Sequence, residues 1–169
     1  EGNSGLKNSY RHSWRFTYLD NRKLYQRISG DISFTHNAIA MGYNYDTSTG
    51  VRTYKAYNID GNWNAGAGYE IGLDVDKKKY LRLSSNTRIS HMQNVDLIGI
   101  NTEGMRKSNV RTEGISEVLT LNYRIGKQYI SAKFDGKWRY VHSTRQDFTN
   151  MNIWDFNYGL TGTFNLLPK

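Results

Sequence analysis

The sequence predicts an all-β protein, built as an antiparallel meander of about seven long strands. Polar and apolar residues alternate over long stretches, proline occurs once, and aromatic residues make up 14% of the chain although hydrophobic residues make up only 37%. Successive side chains of a strand point to opposite faces, so a sheet with one polar face needs apolar residues only at alternate positions. Long ladders also exclude proline, which lacks the backbone donor.

The clearest alternation runs from Val51 to Val75. A helix in this stretch would mix polar and apolar residues on every face. The alternation is about four times as long as a typical strand of about five or six residues. We therefore expect one continuous strand that separates two unlike solvents. Its apolar row consists of Tyr57, Ile59, Trp63, Ala65, Ala67, Tyr69 and Ile71.

The other strands follow the same pattern in chain order. A first strand starts at Tyr10, and a second starts near Leu24. The apolar residues of the second strand change from even to odd positions around Asn37, and one extra residue inverts the faces of a strand. This predicts a β-bulge or a local break between His36 and Ala38. The later strands have apolar rows that begin at Leu81, Ile115, Ile130 and Trp154.

The predicted connections alternate between short turns and longer loops. The short turns begin at Asp20, Asp76 and Gly126, and the longer loops cover residues 46–50, 99–109 and 145–150. An antiparallel meander would place all the short turns at one end of the sheet. Outer-membrane barrels show this asymmetry, with short periplasmic turns and longer outer loops.

We interpret the sheet as a transmembrane β-barrel or as a segment of a larger barrel. A strand needs about 9 to 11 residues to cross the bilayer, and the predicted strands are longer. The apolar rows carry more large rings than the interior of a small barrel can hold, which disfavours the alternative of a soluble, lipocalin-like binding barrel. Seven strands would leave two unpaired edges in lipid. We therefore expect residues 1–169 to be a single barrel region, internal to a longer barrel.

Composition argues against several other classes of protein. The net charge is +8, but the basic residues are spread over all strands and the one run, 77–79, adjoins Asp74 and Asp76. This pattern disfavours nucleic acid as a partner. The chain has no cysteine, no apolar run of about 20 residues and no signal-peptide pattern at its start. We expect either a processed leader or an internal segment.

The residue pattern predicts no enzyme, no cofactor and no metal site. His12, His36, His91 and His142 stand singly on different strands, and no spacing brings a serine to a base or several ligands to a metal. Charged residues of the polar rows remain as candidates for contact with a substrate or an internal plug. These candidates are Asp60, Glu70, Arg82, Arg88, Lys133, Asp135, Lys137, Arg139 and Asp155.

Several segments resemble the outer-membrane β-barrel family of Bacteroidetes, which is similar to TonB-dependent receptors. They begin at Trp14 (WRFTYLD), Ile59 (IDGNWNA), Leu121 (LNYR), Trp154 (WDFNYG) and Asn165 (NLLPK). The resemblance spans essentially the whole chain. It implies a barrel of about 22 strands around an N-terminal plug, a location in the outer membrane of a diderm bacterium, and TonB-driven uptake of a nutrient.

The resemblance also defines the expected partners. The chain itself shows no plug and no TonB-contacting segment, so it would correspond to a piece of the C-terminal half of such a barrel. Its partners would be outer-membrane lipid, the rest of the barrel and the plug, with TonB and a surface lipoprotein contacting other parts. The alternative function is a structural or adhesion barrel without a plug, whose loops contact outside partners. The sequence does not define the substrate.

Overall fold

The computed structural model describes residues 4–22, 24–100, 105–145 and 148–164, and these residues form nine strands. The prediction of an all-β antiparallel meander is confirmed. No helix in these ranges is long and apolar enough to cross a membrane. The strands are Tyr10–Asp20 (β1), Tyr25–His36 (β2), Ala38–Tyr45 (β3), Arg52–Ile59 (β4), Asn62–Asp74 (β5), Leu81–Ile100 (β6), Met105–Ile125 (β7), Gln128–Ser143 (β8) and Met151–Thr163 (β9).

Seven of these strands form a main sheet in the order β1-β2-β5-β6-β7-β8-β9, with every neighbouring pair antiparallel. Directly paired residues lie on the same face of a sheet. The register pairs Trp14 with Ile32 on β1 and β2, and Trp138 with Trp154 on β8 and β9. The apolar rows therefore join into one apolar face, and the polar rows form the opposite, polar face.

The expected continuous strand from Val51 to Val75 is wrong. The main sheet has seven strands, and the interruption of two predicted strands raises the total to nine. The chain leaves the extended conformation at Gly61, where φ is 116°, so β4 and β5 are separate strands. The predicted break between His36 and Ala38 is confirmed, and Asn37 there has a φ of 50°. Two interruptions that lie side by side thus divide two long predicted strands into four shorter ones.

The two interruptions allow the β3–β4 hairpin to turn over relative to the β2–β5 pair. On the short-turn side of the interruptions β6 pairs with β5. On the other side β6 pairs in parallel with β3, at Tyr43–Ile98. The neighbour of β6 therefore changes from β5 to β3, because the segment that joins β2 to β3 crosses the segment that joins β4 to β5. The Asn37 N–H donates a hydrogen bond to Asp60 Oδ1 (2.7 Å), and Asn58 Nδ2 donates to the Asn37 carbonyl oxygen (2.9 Å).

The hairpin packs against the upper part of β6 and forms a small hydrophobic core there. This core contains Ala38, Ile59, Val95 and Leu97, and Ile59 is the most deeply buried of the four, with 2% of its surface exposed. Elsewhere in the described main sheet, most large apolar side chains are exposed or half-buried. A single sheet has no second layer to cover them.

The predicted short turns at Asp76 and Gly126 are confirmed, and so is the predicted hairpin loop over residues 46–50, which lies between β3 and β4. Hydrogen bonds from Ser48 and Thr49 lower the pKa of the exposed Asp46 carboxyl to about 2. The predicted loop over residues 99–109 is wrong, because β6 continues to Ile100 and β7 begins at Met105. The residues between these two strands lie outside the described ranges, as do residues 165–169, which the family resemblance included.

The short turns are displaced steadily along the register. One row of directly paired residues starts at the β1–β2 turn, with Asp20, and runs across to Phe134 on β8. The last pair at the β5–β6 turn lies three residues beyond this row, and the last pair at the β7–β8 turn lies six residues beyond it. With about 3.3 Å per residue and about 4.8 Å between strands, the strands incline by about 45° to the line of the turns.

The crossing at Gly61 gives a first test. An alanine Cβ at this position would lie 2.9 Å from Val95 Cγ2, at a φ that side chains rarely adopt. We expect Gly61→Ala to lower the free energy of unfolding by about 1 to 3 kcal/mol, measured by denaturant titration in lipid. Gly159→Ala is the matched control, because nothing lies within 4 Å of its added Cβ, and it should change stability by about 0.5 kcal/mol or less. Equal effects of the two changes would contradict the strain at Gly61.

Candidate functional site on the polar face

Most of the predicted candidate residues lie on the polar face, as the alternation requires, but they do not converge on one site. Six of them form separate ion pairs over the width of the sheet. The exception is Asp60, which lies at the chain crossing between β4 and β5 and contacts the His36 ring (Oδ1 to Nδ1, 3.8 Å). Asp60 is therefore a structural residue of the crossing rather than a neighbour of the other candidates.

Arg88 forms the tightest ion pair of the polar face, and this pair spans three strands. Arg88 Nη2 on β6 donates to Asp31 Oδ1 on β2 at 2.6 Å, passing over β5. Gly66 makes this reach possible, because a Cβ there would lie 2.4 Å from Arg88 Nη2 and 3.3 Å from Asp31 Oδ1. The bond holds β2, β5 and β6 together from the polar side.

A second group of charges lies on β8 and β9. Arg139 Nη2 donates to Asp155 Oδ2 at 3.1 Å across the two strands, and Lys137 Nζ lies 3.6 Å from Asp135 Oδ2 on the same strand. All four side chains of these pairs keep at least 20% of their surface in contact with solvent. Four of the candidate charges on these strands thus form ion pairs, each worth about 1 kcal/mol or less at this exposure.

The remaining candidates are spread more widely. Arg82 Nη1 lies 3.7 Å from Asp74 Oδ1 near the β5–β6 turn. Lys133 lines a shallow, open depression of about 230 Å³ together with Asp135. Glu70 is half-buried opposite Arg27, to which it forms no ion pair within 4 Å. The described polar face therefore offers a charged and hydrogen-bonding wall rather than an enclosed pocket.

Sequence reasoning missed a cluster of polar residues on the apolar face. Glu113 on β7 lies between two imidazoles, with Oε1 3.2 Å from His91 Nδ1 and Oε2 3.3 Å from His142 Nδ1. These histidines had been expected to stand singly. Only the pairing of β6, β7 and β8 brings them together, and no spacing along the chain reveals this. Within the described ranges, no group of three or more His, Cys, Asp or Glu side chains is arranged to hold a metal ion.

A second carboxylate, Glu117, also lies on the apolar face. Its oxygens accept hydrogen bonds from Ser85 Oγ (2.6 Å) and from Thr87 Oγ1 on β6. The sequence signal for this residue was an interruption of the apolar row of β7. The two hydroxyl groups satisfy a carboxylate that would otherwise be costly on an apolar surface.

An aromatic belt crosses the apolar face toward the loop end of the sheet. Its rings contact one another across neighbouring strands, as in the stacked pair Phe34–Trp63 (6.3 Å between centroids) and the pair Trp138–Trp154 (6.1 Å). The belt consists of His12, Trp14, Phe34, Trp63 and His91 on one side of Glu113, and of Trp138, Tyr140, His142, Trp154 and Phe156 on the other.

Comparison with known proteins gives no relative for this chain: no family model, no curated protein and no solved structure matches it.

The reach of Arg88 over Gly66 gives a second test. We expect Gly66→Ala to displace the flexible guanidinium and break its bond to Asp31 while the strands keep their pairing. Asp31→Asn should then lower the free energy of unfolding by about 1 kcal/mol in the parent chain, but by close to nothing in the Gly66→Ala background. A double-mutant cycle by denaturant titration measures this coupling.

The control for this cycle pairs Asp31→Asn with Gly159→Ala, whose added Cβ has open space. These two changes should be additive. Additivity in the Gly66 cycle as well would mean that Gly66 does not make room for the ion pair.

Proposed function

We propose that this chain forms part of the wall of an outer-membrane β-barrel that transports solutes, a barrel similar to TonB-dependent receptors. The observation that carries the proposal is the apolar face, which between the short turns and the aromatic belt continues without a covering layer across all seven strands of the main sheet. Phe16 and Leu160, on opposite edge strands, leave 61% and 76% of their surfaces exposed. Contiguous apolar surface on this scale is rare on proteins surrounded by water and is the normal outer surface of a barrel in lipid.

The height of this face supports the same proposal. From the turn end of each strand to the aromatic belt there are eleven residue steps on β5 (Asp74 to Trp63), ten on β6 (Leu81 to His91) and ten on β8 (Gln128 to Trp138). Ten residues rise about 24 Å in strands inclined by about 45°. Outer-membrane barrels carry an apolar band about 25 Å tall that is bordered by aromatic residues.

The polar face and the sheet edges support a wide, water-filled or plugged interior. Ion pairs such as Arg88–Asp31 and Arg139–Asp155 are stable beside water or a polar plug, whereas contact with lipid would be costly for their charges. In the described part of the chain, β1 and β9 do not pair with each other, so seven strands do not complete a ring. Barrels with many strands enclose an aqueous channel or a plugged lumen. The assignment of this barrel to the TonB-dependent class is supported by the sequence resemblance.

A matched pair of arginine substitutions on β9 tests which face meets lipid. Leu160 and Thr161 are neighbours, both exposed, on opposite faces of the same strand. We expect Leu160→Arg to lower the free energy of unfolding from vesicles by about 2 to 4 kcal/mol, because the guanidinium would enter hydrocarbon. Thr161→Arg should change it by about 1 kcal/mol or less. Equal tolerance of the two changes would place both faces in water and end the membrane proposal.

Cysteine labelling separates a plugged transporter from a structural or adhesion barrel. The chain contains no cysteine, so Lys133→Cys on the polar face and Ala132→Cys on the apolar face each provide a single thiol in it. In intact cells, we expect a charged, membrane-impermeant maleimide to label the Lys133→Cys variant and to leave the Ala132→Cys variant unlabelled.

The labelling rate at position 133 then reports on the plug. In a TonB-driven transporter it should fall when an uncoupler removes the energy that moves the plug. A rate that is independent of energisation would contradict the transport proposal and favour a barrel without a plug.

A further inference from the structure

Basic residues on the apolar face are confined to one place. In the seven described strands of the main sheet, every arginine and lysine lies on the polar face except Lys107 and Arg111. Both of these residues lie on β7, at the loop end. Arg111 is directly paired with Gln93 and with His142, in the same register row as Trp63 of the aromatic belt.

The Arg111 side chain is held in position, and it forms no ion pair within 4 Å with a described residue. Its Nε donates a hydrogen bond to Gln93 Oε1 at 2.9 Å, and the residue is exposed. No described residue accepts a hydrogen bond from its terminal amino groups. A guanidinium that is fixed through Nε presents those groups as a planar pair, which suits an oxyanion such as phosphate.

Glu113, the next residue along the same row of β7, faces two imidazoles. Glu113 lies one step toward the turn end, where both of its oxygens are within 3.3 Å of the imidazoles of His91 and His142. The Trp63 ring is stacked on His91 (4.5 Å), and the Tyr140 ring is stacked on His142 (5.3 Å). Arg111 thus lies without an ion-pair partner at the border between the belt and the loops, with apolar rings on both sides.

We propose that Arg111, with His142 beside it and Lys107 further toward the loops, binds the phosphate group of an anionic membrane lipid. This inference rests on the proposed function, because it requires the apolar face to meet the bilayer and the belt to lie at its surface. The ligand is a lipid headgroup rather than free phosphate, since the site opens onto the lipid-facing side between belt rings. A basic residue at a membrane surface contributes about 1 kcal/mol of attraction to an anionic lipid, about a fivefold preference.

Tryptophan quenching by brominated lipids tests the site. The protein that contains this chain is placed in phosphatidylcholine vesicles with increasing fractions of dibrominated phosphatidylglycerol, or of dibrominated phosphatidylcholine as the neutral probe. All four tryptophans of the chain lie in the belt, and Trp63 shares the register row of Arg111, so their fluorescence reports the neighbouring lipid. We expect the anionic probe to associate about fivefold more strongly than the neutral one, and Arg111→Gln to abolish the difference.

Lys133→Gln is the matched control, because it removes a cation from the opposite face and should leave the lipid preference unchanged. If the Arg111→Gln protein fails to enter vesicles, Gln93→Leu keeps the charge but removes the hydrogen bond that holds it, and it should reduce the preference. A parent protein without a preference, or an Arg111→Gln protein that keeps it, would overturn the inference. Loss of the preference in millimolar inorganic phosphate would overturn the assignment to a lipid.

The experiment separates this inference from the proposed function. Equal quenching by both probes would agree with a lipid-facing apolar face but would contradict the binding site for an anionic lipid. If neither probe quenches the tryptophans, the apolar face does not meet lipid, and the barrel proposal fails together with the site.

Discussion

The structure depends on a register that matches apolar rows to apolar rows across six antiparallel pairings. The period of a strand is two, so a shift of one residue at any pairing would move the apolar side chains of a strand to the opposite face. Tight turns fix two of these registers. Gly126 takes a positive φ in a two-residue turn, and Asp76 Oδ1 accepts a hydrogen bond from the Leu81 N–H. Each face is therefore continuous because each neighbouring pair is held in one alignment.

Departures from the alternation are matched by a neighbouring strand. On the apolar face, Glu117 finds the hydroxyl groups of Ser85 and Thr87 on β6. On the polar face, Gly66 lacks a side chain where Arg88 crosses to Asp31. In both cases a residue that breaks the pattern of its own strand is accommodated by residues of a neighbouring strand. Contacts between paired strands therefore stabilise the sheet more than the pattern of any one strand does.

Alternation was sufficient to predict the strands of the main sheet, their faces and the short turns, because each of these is a local pattern. It failed at Gly61, since Ile59 and Trp63 occupy the same odd phase on both sides of the break and the pattern runs through it. Only the turn-forming pair Asp60–Gly61 signalled an interruption. The contacts of Glu113 with His91 and His142 could not be predicted, because they join three strands whose relative register is set by pairing and not by sequence spacing.

The position of the small hydrophobic core follows from the same physics that shapes the apolar face. Val95 and Leu97 belong to the apolar row of β6, but they lie beyond the aromatic belt, where the proposed membrane ends. Apolar side chains at that height would be exposed to water, and the β3–β4 hairpin covers them with Ala38 and Ile59. To bring β3 beside β6, the β2–β3 and β4–β5 connections must cross. The crossing requires a residue without a side chain next to Val95. In the proposed barrel, the break at Gly61 is thus the local consequence of a strand that would leave lipid and need protein to bury the same row of side chains.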